Sequence, residues 1–200
     1  MIHSAQKKAA GALLLASSLV APLFAQRSIL RHFDVADGLP ADRVSSITED
    51  SHGFLWVSTI EGLGRFDGTH FDAFGTKDGL PRAAPNEVRE DRHGRIWIAL
   101  NGDGIARFSA EDGAPENAMF RAMRLGKERN ENIVNALYFD AADRFWLGTE
   151  AGIVRASEGK DGELDIELLP DSVACLKPQA ACATSDGAIW FVGSRGPELG

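Results

Sequence analysis

Short apolar runs separated by turn residues dominate the chain, at a spacing that predicts strands rather than helices. In the clearest stretch, Val44 to Glu49, Phe54 to Thr59, Leu63 to Phe66 and Thr69 to Phe74 read as four consecutive strands. Asp50 to Gly53 supplies the first hairpin turn, and Asp67-Gly68 is a strong two-residue hairpin signal. The second run, Phe54-Leu55-Trp56-Val57, is apolar without alternation, as expected of a strand covered on both faces.

The same arrangement recurs. Aligned on tryptophan, the chain shows Asp50-Ser-His-Gly-Phe-Leu-Trp56, Asp91-Arg-His-Gly-Arg-Ile-Trp97, Asp140-Ala-Ala-Asp-Arg-Phe-Trp146 and Thr184-Ser-Asp-Gly-Ala-Ile-Trp190. The tryptophans lie 41, 49 and 44 residues apart, the length of one four-stranded propeller blade. Glycine follows each one, at Gly62, Gly102 with Gly104, Gly152 and Gly196. The predicted fold is therefore all-β: a β-propeller of about four blades of four antiparallel strands, over about 41–75, 82–123, 132–169 and 173–200. The last blade is incomplete, and the chain is expected to be the start of a larger propeller. A blade-closing fourth strand is expected at 30–35, because Arg31-His-Phe-Asp-Val35 resembles His70-Phe-Asp-Ala-Phe74 and both precede Asp-Gly-Leu-Pro, at Asp37 and Asp78. Trp56, Trp97, Trp146 and Trp190 are read as residues filling the space between blades.

Composition adds a destination. Lys7 and Lys8 precede an apolar run from Ala9 to Ala21, and Leu23-Phe24-Ala25 resembles a cleavage site, so residues 1–25 read as a secretory signal and 26–200 as the propeller. The run is too short to span a bilayer, which needs about twenty residues. The chain carries a net charge of −8, two units more negative without Lys7 and Lys8. That sign opposes nucleic-acid and anionic-membrane binding. Cys175 and Cys182 are the only cysteines. Their spacing in an oxidising compartment permits a disulfide, and two small buried hydrophobes are the alternative. No Cys or His set at ligand spacing implies a metal, and no cofactor motif is present.

Binding residues in a propeller are sought where the connections between blades, and between second and third strands, converge on the axis. The candidates are Arg43, Asn86, Asn135 and Gln179 at the starts of first strands, with Glu61, Asn101, Asp103, Glu150 and Arg195 between second and third strands. Their amides, carboxylates and arginines suit a small polar ligand such as a saccharide. His52 and His93 fall in turns at the opposite end and are read as surface residues. Glu61 and Glu150 are equivalent positions two blades apart, too far for a carboxylate pair. No nucleophile elbow, phosphate loop or zinc signature appears. The basic stretch Met119 to Glu131, with Arg121, Arg124, Lys127 and Arg129, is read as a solvated connection.

The Asp-x-x-Gly turn, the aliphatic/aromatic-Trp core ending in threonine, and the Gly-Leu/Ile-x-Arg strand resemble two-component regulator propeller repeats, most closely at Val44 to Phe66 and Val134 to Arg155. Asp143 replaces the turn glycine in the third copy, Leu100 replaces threonine in the second, and the fourth lacks the turn aspartate. The resemblance implies a periplasmic sensor module, joined in a longer receptor to a kinase or cyclase and able to homodimerise there; no output domain or enzymatic site is expected within these residues. The rival reading is an exported propeller enzyme or carbohydrate-binding protein acting on polysaccharide, and a plain scaffold for protein partners is a third.

Overall fold

The computed structural model describes residues 30–82, 84–109, 119–169 and 176–195. Contacts divide the chain into two units, Met1–His32 and Phe33–Gly200. The first contains only Leu30 to His32 among the described residues, so the expected signal lies outside them. All described strands belong to the second unit.

Three four-stranded antiparallel sheets and one two-stranded sheet make up this unit. Blade 1 comprises β1 (Val44–Glu49), β2 (Leu55–Thr59), β3 (Gly62–Phe66) and β4 (Phe71–Phe74); blade 2 comprises β5 (Pro85–Glu90), β6 (Ile96–Leu100), β7 (Ile105–Phe108) and β8 (Phe120–Met123). Blade 3 comprises β9 (Val134–Phe139), β10 (Phe145–Thr149), β11 (Gly152–Glu158) and β12 (Leu164–Leu168). The fourth copy forms the hairpin β13 (Leu176–Ala183) and β14 (Ile189–Arg195). Within each sheet the strands pair in chain order, and the first strands β1, β5, β9 and β13 neighbour one another along the axis.

The apolar second strands keep their pleat, but each face enters a different core. In β6, Ile96, Ile98 and Leu100 pack with Trp56, Leu63 and Val88 of the core between blades 1 and 2. Trp97 and Ala99 turn the other way, into the core with Leu137, Phe145 and Leu147 of blade 3. A strand buried this way needs apolar residues on both sides, which accounts for the unbroken run in the sequence. Where blades approach closest the residue must be small: a Cβ at Gly148 would meet Pro178 Cβ at 2.6 Å.

The turn aspartate ties each blade together. Asp50, Asp91 and Asp140 accept a hydrogen bond from the indole Nε1 six residues on, at 2.7, 2.9 and 2.9 Å. The other carboxylate oxygen accepts two backbone N–H groups of the turn, for example His93 and Arg95 on Asp91 at 2.9 and 3.0 Å. The turn then needs a left-handed residue, supplied by Gly53, Gly94 and Gly187; in the third copy Asp143 adopts it at φ 63°.

Strand limits differ from the sequence reading by one residue at the starts of β2, at Leu55 rather than Phe54, and β3, at Gly62 rather than Leu63, and by more in two further places. The fourth strand of blade 1 begins at Phe71 rather than Thr69, because the Thr69 and His70 N–H groups both donate to Asp67 Oδ1 and belong to the turn. Residues 30–34 form no strand, and Val35–Asp37 is a single 3-10 turn capped by Asp34. A fourth strand needs a third strand beside it, and no described sheet offers one. The His-Phe-Asp match that suggested the strand is also displaced. Phe33 meets Phe66 and Phe71 at 4.9 and 5.7 Å between ring centroids, as Phe74 meets Phe108 and Phe120 at 5.5 and 5.8 Å. Phe33 is thus the counterpart of Phe74, not of Phe71.

Candidate functional site

The connections that end at Thr59–Gly62, Leu100–Gly104 and Thr149–Gly152 lie at the same end of the blades as the starts of β1, β5 and β9. Threonine shapes two of these turns: Thr59 Oγ1 donates to Gly62 O and Thr149 Oγ1 to Gly152 O, each at 2.9 Å. In blade 2, where Leu100 replaces threonine, the longer turn is held from outside. Asn132 O accepts the Gly102 and Gly104 N–H groups at 3.0 and 2.9 Å.

Every first strand bulges at the same place. The register shifts between Val44 and Ser46, between Pro85 and Glu87, opposite Gly148 and Thr149 in β9, and between Pro178 and Ala180. The extra residues are Ser45, Asn86, Asn135 and Gln179, and a bulge redirects the side chain it carries. Ser45 Oγ donates to Pro85 O of the next blade at 2.9 Å. Asn86 Nδ2 donates to Val134 O at 2.8 Å and to Asn135 Oδ1 at 3.3 Å. Glu87 Oε2 accepts the Leu137 N–H at 2.8 Å, and Thr48 Oγ1 donates to Val88 O at 2.8 Å. Side chains of one first strand thereby satisfy the free backbone groups on the axial edge of the next.

The structure brings Asn86 and Asn135 together and sets Gln179, exposed, at the same bulge of β13. Arg43 does not belong to this row: it is exposed two residues before the bulge, and its carbonyl accepts the Ile60 N–H at 3.3 Å. Ser45 is its replacement, and the tryptophan alignment supports it: Ser45, Asn86, Asn135 and Gln179 each stand eleven residues before their tryptophan, whereas Arg43 stands thirteen before Trp56. Glu61 is exposed beside Arg82 at a cavity of about 30 Å³. Asn101 bridges to Ile133 through its backbone, and Glu150 N–H donates to Ile133 O at 3.1 Å. Asp103 pairs with Arg124 at 3.5 Å. The backbone of Arg195 ends β14, and its side chain lies outside the described residues, as does Cys175. Cys182 is exposed on β13 rather than buried.

At the opposite end, the turns of adjacent blades touch. Ser51 N–H and Oγ donate to Glu90 at 2.7 and 2.5 Å, and His93 Nε2 lies 2.6 Å from Asp143 Oδ2. The two histidines therefore make different contacts, and His93 joins blades 2 and 3. Glu158 of blade 3 receives Arg95 and Arg107 of blade 2 at 2.6 and 2.5 Å, and both guanidinium groups lie within 5.7 Å of the Trp97 ring. Burial opposes charge on Asp140, but the Trp146 Nε1, the Arg144 and Ala142 N–H groups and the Arg144 guanidinium outweigh it and hold its pKa at about 2. Asp91 is lowered in the same way, against burial, by Trp97 and Arg95.

The tryptophans separate into three states. Trp56 and Trp97 are buried, Trp146 is half-buried and Trp190 is 59% exposed, so packing between blades holds for two, in part for the third and not for the fourth. Trp56 is covered by Phe108 from the third strand of blade 2, and Trp97 by Phe139 and Phe145. Ala183 stands where Phe139 would be relative to Trp146, and the residues after Arg195 lie outside the described ones. A groove of about 710 Å³ lined by Arg92, Tyr138, Arg144, Trp146 and Thr184 is the result.

Sequence reasoning missed Asn132 and the turn aspartates. Asn132 is fully buried; it accepts Leu125 N–H at 2.8 Å and donates to Gly126 O and Glu128 O at 2.9 and 2.6 Å. It orders the basic connection, in which Arg121 and Arg124 are paired with Glu163 and Asp103. No periodic signal marks it. The aspartates had one: a fixed spacing of six from tryptophan in three copies. Among the described residues no three His, Cys, Asp or Glu side chains converge as a metal would require.

These sheets, their axial first strands and the alternating cores define a β-propeller. The family model described as the two component regulator propeller matches residues 38–61, the first of the repeats that the sequence marks. A solved extracellular domain of a hybrid two component system from B. thetaiotaomicron superposes with a TM-score of 0.67 at 19% identity, over 88% of this chain and 24% of that one. Virginiamycin B lyase from Staphylococcus aureus gives 0.60 at 23%, over 78% and 50%. A gluconolactonase from Xanthomonas campestris gives 0.54 at 16%, over 75% and 56%. The chain thus spans between a quarter and somewhat over half of these neighbours, and at such identities the likeness is one of fold. No curated protein matches the sequence.

Proposed function

We propose that this chain is the extracytoplasmic, ligand-sensing propeller module of a bacterial two-component-type receptor, exported by its N-terminal signal and not itself an enzyme. The observation that carries the reading is the coincidence of a two component regulator propeller repeat at 38–61 with a fold shared with the extracellular domain of a hybrid two component system. The ligand is a small polar molecule, of which a saccharide is the best fit, bound where the bulge row opens between Asn135 and Gln179. There the pattern of one blade bonding the next stops: Gln179 makes no hydrogen bond among the described residues, leaving amide groups to meet hydroxyls. Occupancy would shift the balance between receptor arrangements through its preference for one of them.

Thermal denaturation of the chain against a panel of neutral and acidic oligosaccharides tests the site. One class should raise the melting temperature, and Asn135→Ala and Gln179→Ala should each abolish the rise. If no saccharide shifts the transition, the ligand assignment is wrong. The likeness to a lyase and a gluconolactonase favours, as a second reading, an exported enzyme or carbohydrate-binding protein. Release of a modified product from a saccharide that binds would replace the sensor by that reading.

A further inference from the structure

Of the six asparagines in the chain, only Asn101 is followed by glycine. That pair can modify itself. The backbone nitrogen of Gly102, once it gives up its proton, can attack Cγ of the Asn101 side chain; the N–Cγ bond forms, the Cγ–Nδ2 bond breaks, and the amide nitrogen leaves as ammonia with a proton from solvent. Water then opens the cyclic imide at either carbonyl, giving aspartate or isoaspartate with no oxidant or reductant. Glycine favours the closure because no side chain crowds the attacking nitrogen and its backbone turns freely.

The two reacting groups stand in opposite surroundings. Asn101 is exposed, and its side-chain amide makes no hydrogen bond among the described residues, so the electrophile is open to solvent. The nucleophile is held. Gly102 N–H donates to Asn132 O at 3.0 Å, the carbonyl that also accepts Gly104 N–H at 2.9 Å. Asn101 N–H donates to Ala84 O at 2.9 Å, and Asn101 pairs with Ile133 in an antiparallel bridge, so the peptide that must rotate for ring closure is fixed on both sides. Asn132 is itself immobilised. It is fully buried, its side chain bonds Leu125 N–H, Gly126 O and Glu128 O, and its own N–H donates to Arg129 O at 3.0 Å.

We infer that Asn101 is a self-modification site held latent by the Asn132 carbonyl, and that deamidation proceeds only when the connection of residues 124–132 lifts from the turn at 100–104. Hydrogen exchange at Gly102 and imide formation both begin by removing the same proton from the same nitrogen, so one local opening governs both rates. Conversion places a second carboxylate beside Asp103, at the end of the blades that carries the bulge row. The isoaspartate branch also lengthens the backbone of the turn by the side-chain methylene. None of this requires a ligand.

Peptide mapping by mass spectrometry tests it, on the full chain kept folded or held in denaturing urea in the same mildly alkaline buffer. The peptide containing Asn101 should acquire its unit mass gain about 100-fold more slowly in the folded chain than in urea. Asn101→Gln should abolish the gain on that timescale. Asn132→Ala should speed deamidation of the folded chain about tenfold, while the near-ultraviolet circular dichroism of buried Trp56 and Trp97 stays unchanged. Should that variant lose its fold, the wild-type Gly102 amide decides: its hydrogen exchange should be slowed, relative to the unfolded chain, by the same factor as the deamidation. Equal deamidation rates in the folded chain and in urea overturn the proposal, as does a folded Asn132→Ala that deamidates no faster. So does slow deamidation beside an unprotected Gly102 amide, which would place the restraint in the bridge to Ile133 instead of the Asn132 carbonyl.

Discussion

Trp97 and Trp190 occupy one position of one repeat, yet the first is fully buried and the second 59% exposed. Around Trp97 the next blade supplies Phe139 and Phe145, and its own turn supplies Asp91 as acceptor for the indole. Around Trp190 no described sheet covers the ring, and Thr184 replaces the aspartate, spending its hydroxyl on Asp186 and Ala188 O. Trp146 falls between them: its aspartate is present, but Ala183 stands in place of a phenylalanine. Two conditions make a blade tryptophan structural, an acceptor within its own turn and a filled face on its neighbour. The repeat writes only the first into the residue's own copy.

Truncating the two rings should separate the cases most widely. Trp97→Ala should cost about 3–5 kcal/mol of unfolding free energy, through lost burial and the cavity left behind. Trp190→Ala should change it by less than about 0.5 kcal/mol. Urea denaturation of both variants is the measurement, and equal losses would contradict the comparison.

Removing the acceptor alone comes next. Asp91→Ala leaves the Trp97 Nε1 and two turn N–H groups without their partner and should cost about 2–3 kcal/mol. It should also shift the Trp97 fluorescence, because the indole loses its hydrogen bond.

Acid probes the same bond without changing a side chain. The Asp140 pKa is depressed from an ordinary 3.8 to about 2 in the folded chain. Its stabilising contribution is therefore present above pH 3.8 and is lost as the pH falls through about 2. Asp140→Thr, which copies the fourth repeat, should flatten the fall in stability between pH 4 and pH 2 while lowering stability at neutral pH. The melting temperature across that window decides it.

The smallest effect should come from repair. Thr184→Asp restores the spacing of six to Trp190 and should stabilise the chain by about 0.5–1 kcal/mol. The gain is small because the ring it would anchor remains in solvent. Proteolytic protection of the β13–β14 hairpin reports it most directly.

Much of the fold was legible because blade structure is local. Asp-x-x-Gly turns, Asp67-Gly68 and the glycine after each tryptophan demand particular backbone shapes, and each lies within one hairpin. Asp143 tests the logic: the turn needed a left-handed residue, and aspartate is among the few that tolerate it. Less of the candidate site was legible. Asn86 and Asn135 were found by position, but Arg43 was chosen where the bulge selects Ser45, although Ser45 keeps the spacing of eleven before tryptophan that Asn86, Asn135 and Gln179 share. Asn132 was missed because its partners, Leu125, Gly126 and Glu128, are chosen by a connection without repeat.

Taken alone, the sequence determined the repeat length, from the spacing of the tryptophans, and the strand order and turn chemistry, which depend on residues close together within one hairpin. Only the tertiary structure decided which tryptophan is buried and which polar side chains bond the axial edge of the neighbouring blade. Those outcomes depend on the facing blade, some forty residues away in the chain. Burial is a property of the two surfaces that meet, and a repeat describes only one of them.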